Sequence, residues 1–231
     1  MKETALKYCY KNPVLHMDII VPIKRNTAEI IYSGTDGVVI KETKSGAYLM
    51  ALDSYKKALD IFHKLDNSYL YSVKNKDLAT YIMDKTRLCD LMEANQFTYL
   101  KQEKLKNDDI LQIKELDETY KDIIISHYTG VSDPSYIIER IENKELYGGF
   151  FEEKFCAFIG FHAEGSMGML YVFPEFRKKG FATKMQIYMT NLMLDMGLTP
   201  FNQVEIYNTN SRNLQEKLGF EMSEEKVYWI S

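Results

Sequence analysis

The sequence predicts an α/β protein in which helices flank a mixed β-sheet, an α+β arrangement. The first observation is the order of elements in the C-terminal half, which reads β-α-α-β-β-β-α-β-α-β. The second is that the N-terminal half repeats the later part of this order. The third is composition: 45% of the 231 residues are hydrophobic and 27% are charged, as in a globular protein that buries a core.

In the C-terminal half, apolar runs of strand length alternate with segments of helical period. Asp117 suits a helix N-cap, Pro134 a first helical turn and Gly197 a C-cap. The predicted segments are a strand at 110–116, helices at 117–128 and 135–144, a hairpin of strands at 145–152 and 154–164, a strand at 167–173, a helix at 176–196, a strand at 203–207, a helix at 211–218 and a strand at 226–230. The strand at 167–173 is apolar enough to be buried on both faces.

The N-terminal half is predicted to be a smaller α/β domain. Its predicted segments are strands at 27–33, 37–43 and 46–52, a helix at 54–65, a strand at 68–73, a helix at 76–87 and a strand at 97–103. The polar stretch 101–109 predicts the boundary between domains 1–108 and 109–231. Because the two halves share an element order, we hypothesise that the first is a degenerate structural copy of the second, although their sequence identity is negligible.

Charge and cysteine content exclude several classes of function. The net charge of −4 argues against nucleic acid as a partner, which would require a strongly basic surface. The three cysteines form no C-x-x-C pair and the four histidines show no ligand spacing, so neither a metal site nor a disulfide framework is expected. The N-terminus does not resemble a signal peptide and no apolar run could cross a bilayer, which predicts a cytoplasmic protein without a membrane partner.

The stretch VFPEFRKKGFA at 172–182 combines the features of an anion site. It leaves an apolar strand through a proline and then presents three cations and Gly180 where a helix is predicted to begin. A helix N-terminus attracts anions because its first N–H groups are unpaired, and glycine lets a phosphate approach the backbone. A basic first turn is more often plain solvated surface, but here it opposes the helix dipole, which favours an external anion.

A second motif, NTNSRNLQEKLGF at 208–220, follows the next predicted strand. Together with RKKGFA at 177–182, it resembles the GNAT superfamily of acyl-CoA-dependent N-acyltransferases. The loop matches the superfamily pattern Arg/Gln-x-x-Gly-x-Gly/Ala at each defined position, and Asn208 with EKLGF matches its second motif. The resemblance covers roughly residues 109–231 and looks closest to the glycine N-acyltransferase and FR47-like branch.

The resemblance implies a binding site for acetyl-CoA or a related acyl-CoA. In the superfamily the backbone at Tyr171 and Val172 would bind the pantetheine arm, and the following loop would cradle the pyrophosphate. The loop residues concerned are Arg177, Lys178, Lys179, Gly180, Phe181, Ala182 and Thr183. On the other side of the arm the resemblance implies Asn208 and Ser211, with Lys217 near the nucleotide end.

The catalytic residues of the superfamily carry over less well. Where many members have a Tyr that protonates the leaving thiolate, this chain has Gln215, although a thiolate leaves tolerably without an acid because thiol pKa values lie near 8.5. The usual general-base Glu falls at Ser166. We therefore predict Glu164, two residues earlier and adjacent to apolar residues, as the base, with His162 as its rival. The plain structural alternative is that Glu164 is a polar turn residue.

These observations predict an N-acyltransferase that moves an acetyl or other short acyl group from acyl-CoA to a primary amine of a small molecule or amino acid. The expected partner is therefore a small-molecule amine acceptor. The alternative is a non-catalytic acyl-CoA-binding or regulatory protein, which the absence of the Tyr favours. The acceptor's identity and the oligomeric state stay open at the level of sequence.

Overall fold

The computed structural model describes residues 1–108, 110–130 and 133–231, and it confirms the predicted mixed α/β class. Its helices are α1 (Lys2–Cys9), α2 (Pro13–Arg25), α3 (Tyr55–Phe62), α4 (Lys76–Thr86), α5 (Lys121–His127), α6 (Pro134–Glu142), α7 (Phe181–Asp195) and α8 (Thr209–Leu218). Its strands are β1 (Ala28–Gly34), β2 (Gly37–Glu42), β3 (Tyr48–Leu52), β4 (Tyr71–Val73), β5 (Leu91–Thr98), β6 (Gln112–Glu115), β7 (Leu146–Phe151), β8 (Lys154–Phe161), β9 (Met167–Val172), β10 (Phe201–Glu205) and β11 (Glu221–Ile230).

The chain folds into two compact units. Unit 1 comprises Met1–Leu100, Ala163–Gly165 and Phe201–Ser231, and unit 2 comprises Lys101–His162 and Ser166–Pro200. These units differ from the predicted division into 1–108 and 109–231, because β10, α8 and β11 lie in unit 1 with the N-terminal half. The first passage between the units falls at the start of the predicted boundary stretch 101–109, whose last residue lies outside the described residues.

Unit 1 is built on a seven-stranded sheet with the order β1-β2-β3-β4-β11-β5-β10. The pair β3–β4 is parallel and the other neighbouring pairs are antiparallel. The last strand of the C-terminal half, β11, lies between β4 and β5, and the last strand of the N-terminal half, β5, lies between β11 and β10. Each half therefore places its final strand between two strands of the other half, which explains why the C-terminal elements belong to unit 1.

Apolar side chains of α3 and α4 pack on strands of this sheet. The buried members of that core are Val39, Tyr48, Met50, Ala58, Tyr71, Val73, Leu78, Ala79, Ile82, Tyr228 and Ile230. Each large side chain buried in this way stabilises the fold by about 1.5–3 kcal/mol relative to exposure. Because Tyr228 and Ile230 come from β11, the C-terminal strand is part of the hydrophobic core of the N-terminal half.

A buried ion pair links α2 to the same sheet. Asp18 of α2 is fully buried, and its Oδ2 accepts from the ammonium of Lys74, whose side chain is 8% exposed. Ser72 Oγ lies 3.4 Å and Gln203 Nε2 3.5 Å from the same carboxylate oxygen. A buried carboxylate is tolerated only when it is paired and hydrogen-bonded. These contacts therefore fix α2 against β4 and β10.

Unit 2 is built on a four-stranded antiparallel sheet with the order β6-β7-β8-β9. Strands β7 and β8 form the predicted hairpin, with Glu152 at φ 48° and Glu153 at φ 64°. Two consecutive left-handed residues are what a tight two-residue hairpin turn requires. The buried core under α5 and α6 consists of Leu116, Ile124, Ile137, Ile141, Leu146, Phe150, Phe158, Met169 and Phe173.

Two helices, α1 and α2, lie where the sequence predicts no element. Helix α2 contains Pro22 and a run of β-branched residues, which are poor helix signals, although its Asn12 N-cap and Pro13 in the first turn are good ones. Strand β5 begins six residues before its predicted start at residue 97. The prediction misses these residues because they include the polar Asn95 and Gln96, which are buried and hydrogen-bonded in the structure. Within the described ranges, no helix combines the length and apolarity needed to span a membrane.

Candidate functional site

At the end of strand β9, the N–H and C=O groups of one residue point away from the neighbouring strand β8. Phe173 N donates to Cys156 O at 3.0 Å, and Val172 stands opposite Ala157 in the same register. Because hydrogen bonding alternates along an antiparallel pair, the N–H and C=O of Val172 point away from β8. By the same alternation the backbone groups of Tyr171 point towards β8. Of the two residues predicted to bind a pantetheine arm, Val172 is therefore the better placed.

Strand β9 is also bent. Met169 has φ 55°, and the register with β8 shifts between Phe158 and Gly160. A left-handed residue beside a register shift is a β-bulge, which increases local twist and re-aims the residues that follow. The residues after Met169 are only half-buried, so the strand is not buried on both faces as predicted.

The chain leaves β9 through a 3-10 helix at Pro174–Phe176 and then presents its three cations. Arg177 folds back, because its Nε donates to Val172 O at 3.0 Å and its guanidinium lies 5.6 Å from the centre of the Tyr171 ring. Lys178 has φ 61°, and all three cationic side chains are exposed. The cations therefore belong to a loop that precedes α7, which corrects the predicted helix start at residue 176.

Gly180 is the N-cap of α7 and has φ 82°, a left-handed conformation that favours glycine. A Cβ at this position would meet no heavy atom within 4 Å, so the space outside it is open. Among the described residues, no side chain caps this helix end, whereas Lys184 N donates to Gly180 O at 3.2 Å. The N–H groups of Phe181, Ala182 and Thr183 thus meet the requirements of an anion site beside the cationic loop.

The first turn of α7 is held in place by side-chain contacts within unit 2. Phe181 is 4% exposed, and its ring centre lies 5.2 Å from that of Phe151 on β7. Lys184 forms an ion pair with Asp108, and Met185 is fully buried. These contacts hold the helix terminus in place, and a binding loop on a rigid support loses less entropy when a ligand binds.

The second motif forms helix α8 of unit 1. Asn208 is its N-cap, with Oδ1 accepting from Ser211 N at 3.1 Å, and Lys217 is exposed in the last turn. Gln215 is 2% exposed, and its Oε1 has no hydrogen-bond partner in the described part of the chain. The structure thus gives Asn208 a capping function and places Gln215 inside the fold. The predicted contacts of Asn208, Ser211 and Lys217 with an acyl-CoA stay predictions.

His162 directly follows β8, and its ring contacts Tyr136, a residue that belongs to neither sequence motif. Its Nδ1 lies 2.8 Å from Tyr136 Oη, and the two rings stack with 6.0 Å between their centres. A Cβ at Gly168 of β9 would overlap the imidazole, so the close approach of the ring requires glycine there. The Arg140 guanidinium lies 5.1 Å from the Tyr136 ring centre. The orientation of the imidazole is therefore fixed by its surroundings.

Glu164 lies on the turn 163–165 and is 7% exposed. The next residue, Gly165, has φ 92°, and a Cβ there would lie 2.7 Å from Arg25 Nη1 and 2.9 Å from Val21 Cγ1. The sequence predicts apolar surroundings for this turn, whereas the structure also places the Arg25 guanidinium beside it. This buried position also differs from that of a solvated turn residue.

The two compact units divide the predicted site residues between them. Unit 2 contains His162, Tyr171, Val172, Arg177, Lys178, Lys179, Gly180, Phe181, Ala182 and Thr183, and unit 1 contains Glu164, Asn208, Ser211 and Lys217. Within residues 1–108, 110–130 and 133–231, no group of three or more His, Cys, Asp or Glu side chains is arranged to bind a metal.

The comparisons with known proteins point to one fold. Residues 147–230 match the family model described as FR47-like protein. A solved structure of a Drosophila protein is similar with a TM-score of 0.73 at 11% identity, covering 99% of this chain and 94% of that one. A GCN5-related N-acetyltransferase-like protein from Streptococcus suis has a TM-score of 0.55 at 11% identity, covering 99% and 98%. A GNAT-family acetyltransferase from Colwellia psychrerythraea has a TM-score of 0.52 at 15% identity, covering 99% and 96%. No curated protein matches the chain.

Proposed function

We propose that the protein is an N-acyltransferase, because residues 147–230 match the FR47-like family model and the chain has the fold of solved GNAT structures. It transfers an acetyl or other short acyl group from acyl-CoA to a primary amine of a small molecule or amino acid. The observation that carries this proposal is the N-terminus of α7, where no described side chain caps the helix and three cations precede an open glycine.

The loop suits the pyrophosphate of an acyl-CoA in charge and in shape. The N–H groups of the first turn of α7 can donate to phosphate oxygens, and Gly180 leaves room for them to approach. Arg177, Lys178 and Lys179 supply positive charge. The N–H and C=O of Val172, which point away from β8, suit the amides of a pantetheine arm that binds as an added strand, and the C=O can accept from this arm in addition to Arg177 Nε because a carbonyl oxygen has two lone pairs.

The proposed reaction is direct transfer. The amine lone pair attacks the thioester carbonyl carbon, the C–S bond breaks, CoA leaves as a thiolate, and the amine gives its proton to a base. Because an ammonium of pKa near 10 must first be deprotonated, which costs about 4 kcal/mol at pH 7, a base is worth having. Glu164 is the proposed base and His162 its rival, while a backbone N–H near Val172 is proposed to polarise the carbonyl.

The second candidate function is a non-catalytic acyl-CoA-binding or regulatory protein. The observation that favours it is Gln215, which is buried and has no proton to give to a leaving thiolate. The two candidates are distinguished by the release of CoA thiol from acetyl-CoA in the presence of a panel of amines and amino acids. Release with at least one amine supports the transferase, saturable binding without release supports the regulatory protein, and the absence of binding would contradict both.

The cofactor loop is tested by substitutions at its two ends. We expect Arg177→Glu to weaken acetyl-CoA binding at least tenfold, about 1.4 kcal/mol, because it replaces attraction to phosphate by repulsion. Gly180→Val should do the same, because its branched side chain occupies the space through which a phosphate reaches the backbone amides. Both affinities are measured by calorimetry on the full chain.

Each substitution has a matched control. Lys154→Glu reverses one charge at an exposed position of unit 2 and should leave the affinity unchanged. Gly197→Val places the same side chain at the other end of α7, where φ is 70° and the space is equally open, so it carries the same backbone strain. If the loop variants bind acetyl-CoA as tightly as these controls, the cofactor lies elsewhere.

A further inference from the structure

A cavity of about 280 Å³ lies in unit 1 at the carboxyl ends of the parallel pair β3–β4. Pairing between the two strands ends at Met50 and Val73, whereas β3 continues to Leu52. Leu52 and Lys74 line the opening that results. Clefts at the carboxyl ends of parallel strands are common ligand sites, and this volume lies just below the usual range of about 300–1,000 Å³, which suits a small molecule.

The interior of the cavity offers an acceptor atom on a buried histidine. His16 is 7% exposed, and its Nδ1 lies 3.2 Å from Cys9 O. Since a carbonyl can only accept, Nδ1 carries the proton, and in the neutral ring Nε2 is left as an acceptor. Burial lowers the pKa of His16, with the charge of Lys74 as a second cause, which keeps the ring neutral at pH 7. In the described part of the chain, no hydrogen bond to Nε2 is found.

Two carboxylates stand at the mouth of the cavity. Asp53 accepts from Tyr8 Oη at 2.7 Å through Oδ1, which leaves Oδ2 available. Glu225 accepts from Asn12 Nδ2 at 3.4 Å through Oε2, which leaves Oε1 available. Both residues are exposed. The mouth therefore adds two charged acceptors to the imidazole nitrogen.

The cations of the cavity are already engaged. The ammonium of Lys74 is paired with Asp18, and Lys11 Nζ donates to Thr35 O at 2.6 Å while lying 4.8 Å from the Tyr8 ring centre. The lining therefore has unused acceptors and more negative than positive charge left for a ligand. An alkylammonium supplies three N–H donors and one positive charge, and three acceptors are present.

We propose that this cavity is a binding site for a small primary alkylamine. The ammonium is bound by Asp53, Glu225 and His16, and the short alkyl chain contacts the apolar part of the lining, such as Leu15 and Leu52. The site is formed by residues of unit 1 alone, and its occupation does not require an acyl-CoA.

The test is titration of the full chain with n-butylamine at pH 7 in the absence of any CoA compound, followed by calorimetry or NMR. We expect saturable binding of butylamine and at least tenfold weaker binding of 1-butanol and of butyrate, which have matched chains without the positive charge. Asp53→Asn and Glu225→Gln should each weaken butylamine binding at least tenfold. Asp66→Asn, the same substitution at an exposed position outside the cavity, should have no effect.

Since Asp53→Asn also loses a charged partner of Tyr8, the exposed Glu225 provides the variant less prone to misfolding, and circular dichroism checks both folds. The proposal is overturned if butylamine does not saturate, if butyrate binds as tightly, or if Glu225→Gln and Asp66→Asn bind alike. Because no acyl transfer is measured, these outcomes are independent of whether the protein is an enzyme.

Discussion

Among single residues, the two candidate bases have different surroundings. His162 is held by Tyr136 at 2.8 Å and by close approach to Gly168, which fixes its orientation. Glu164 is buried on a short turn that has the Arg25 guanidinium beside it. A general base must first have the right geometry and then the right protonation state. The structure supplies an oriented ring in one case and a buried carboxylate in the other.

We predict that Glu164→Gln lowers turnover of acetyl-CoA and amine at pH 7 by about 100-fold or more, the usual contribution of a positioned base, while acetyl-CoA affinity is nearly unchanged. The deficit should shrink as pH rises, because more of the amine is then already neutral. Steady-state rates at several pH values provide the measurement, and Glu142→Gln at the exposed end of α6 is the control. Near-normal turnover of Glu164→Gln combined with its loss in His162→Ala would make the histidine the base.

The sequence predicts the function of a residue when the residues that act with it are its neighbours in the chain. It does not do so when the partner is distant in the sequence. Gly180 and the cations are adjacent in the chain, so their joint function is visible as a motif. Tyr136 is 26 positions from His162, and no local pattern connects them. Asp18 does leave a signal, since a lone carboxylate within the apolar run MDIIVPI requires a buried partner. Its partner Lys74 cannot be identified without the fold.

At the scale of elements, predictions hold where local signals act alone and fail where tertiary contacts override them. The hairpin β7–β8 follows from its polar turn residues, and Gly219 ends α8 as its C-cap. The sequence predicts Gly197 as the C-cap of α7, whereas Met196 is the C-cap and Gly197, with φ 70°, directly follows it. Helix α7 begins later than its pattern suggests, because Gly180 and the preceding 3-10 helix interrupt it. Strand β5 begins earlier than predicted because its polar residues are buried with their hydrogen bonds satisfied, which a hydrophobic pattern does not indicate.

The attachment of α2 to the sheet can be tested through its buried ion pair. We expect Lys74→Met to lower the free energy of unfolding by about 3–5 kcal/mol, because Asp18 is then buried without its counter-charge. The double variant Asp18→Asn/Lys74→Met should recover part of this loss. Denaturant unfolding of the full chain measures both values.

The control for this experiment is Lys76→Met. Lys76 lies 3.4 Å from Glu93, but its side chain is 61% exposed, so solvent screens the pair. An exposed pair of this kind contributes about 1 kcal/mol or less. A Lys74→Met variant no less stable than Lys76→Met would show that Asp18 finds other compensation and that the pair does not hold α2 in place.

At the scale of the whole chain, the two halves repeat one element order and exchange their last strands. The N-terminal half runs from α1 and α2 through three strands to α3, β4, α4 and β5, and the C-terminal half runs through β7, β8 and β9 to α7, β10, α8 and β11. Sequence patterns predict the shared order because it depends on local periodicity. They do not predict the insertion of β11 between β4 and β5, because pairing between distant strands leaves no local signal.

Because the two halves repeat one element order, each could bind a nucleotide at the corresponding junction. The junction before α3 lacks the features of an anion site that the junction before α7 has. Residues 50–59 contain no glycine, and Ser54 Oγ caps the start of α3 by accepting from Lys57 N at 3.4 Å. Asp53 stands immediately before it, so its negative charge opposes a phosphate. We therefore predict that calorimetric titration with acetyl-CoA gives one site per chain. Arg177→Glu should weaken that single isotherm as a whole, and a second site of unchanged affinity in this variant would contradict the prediction.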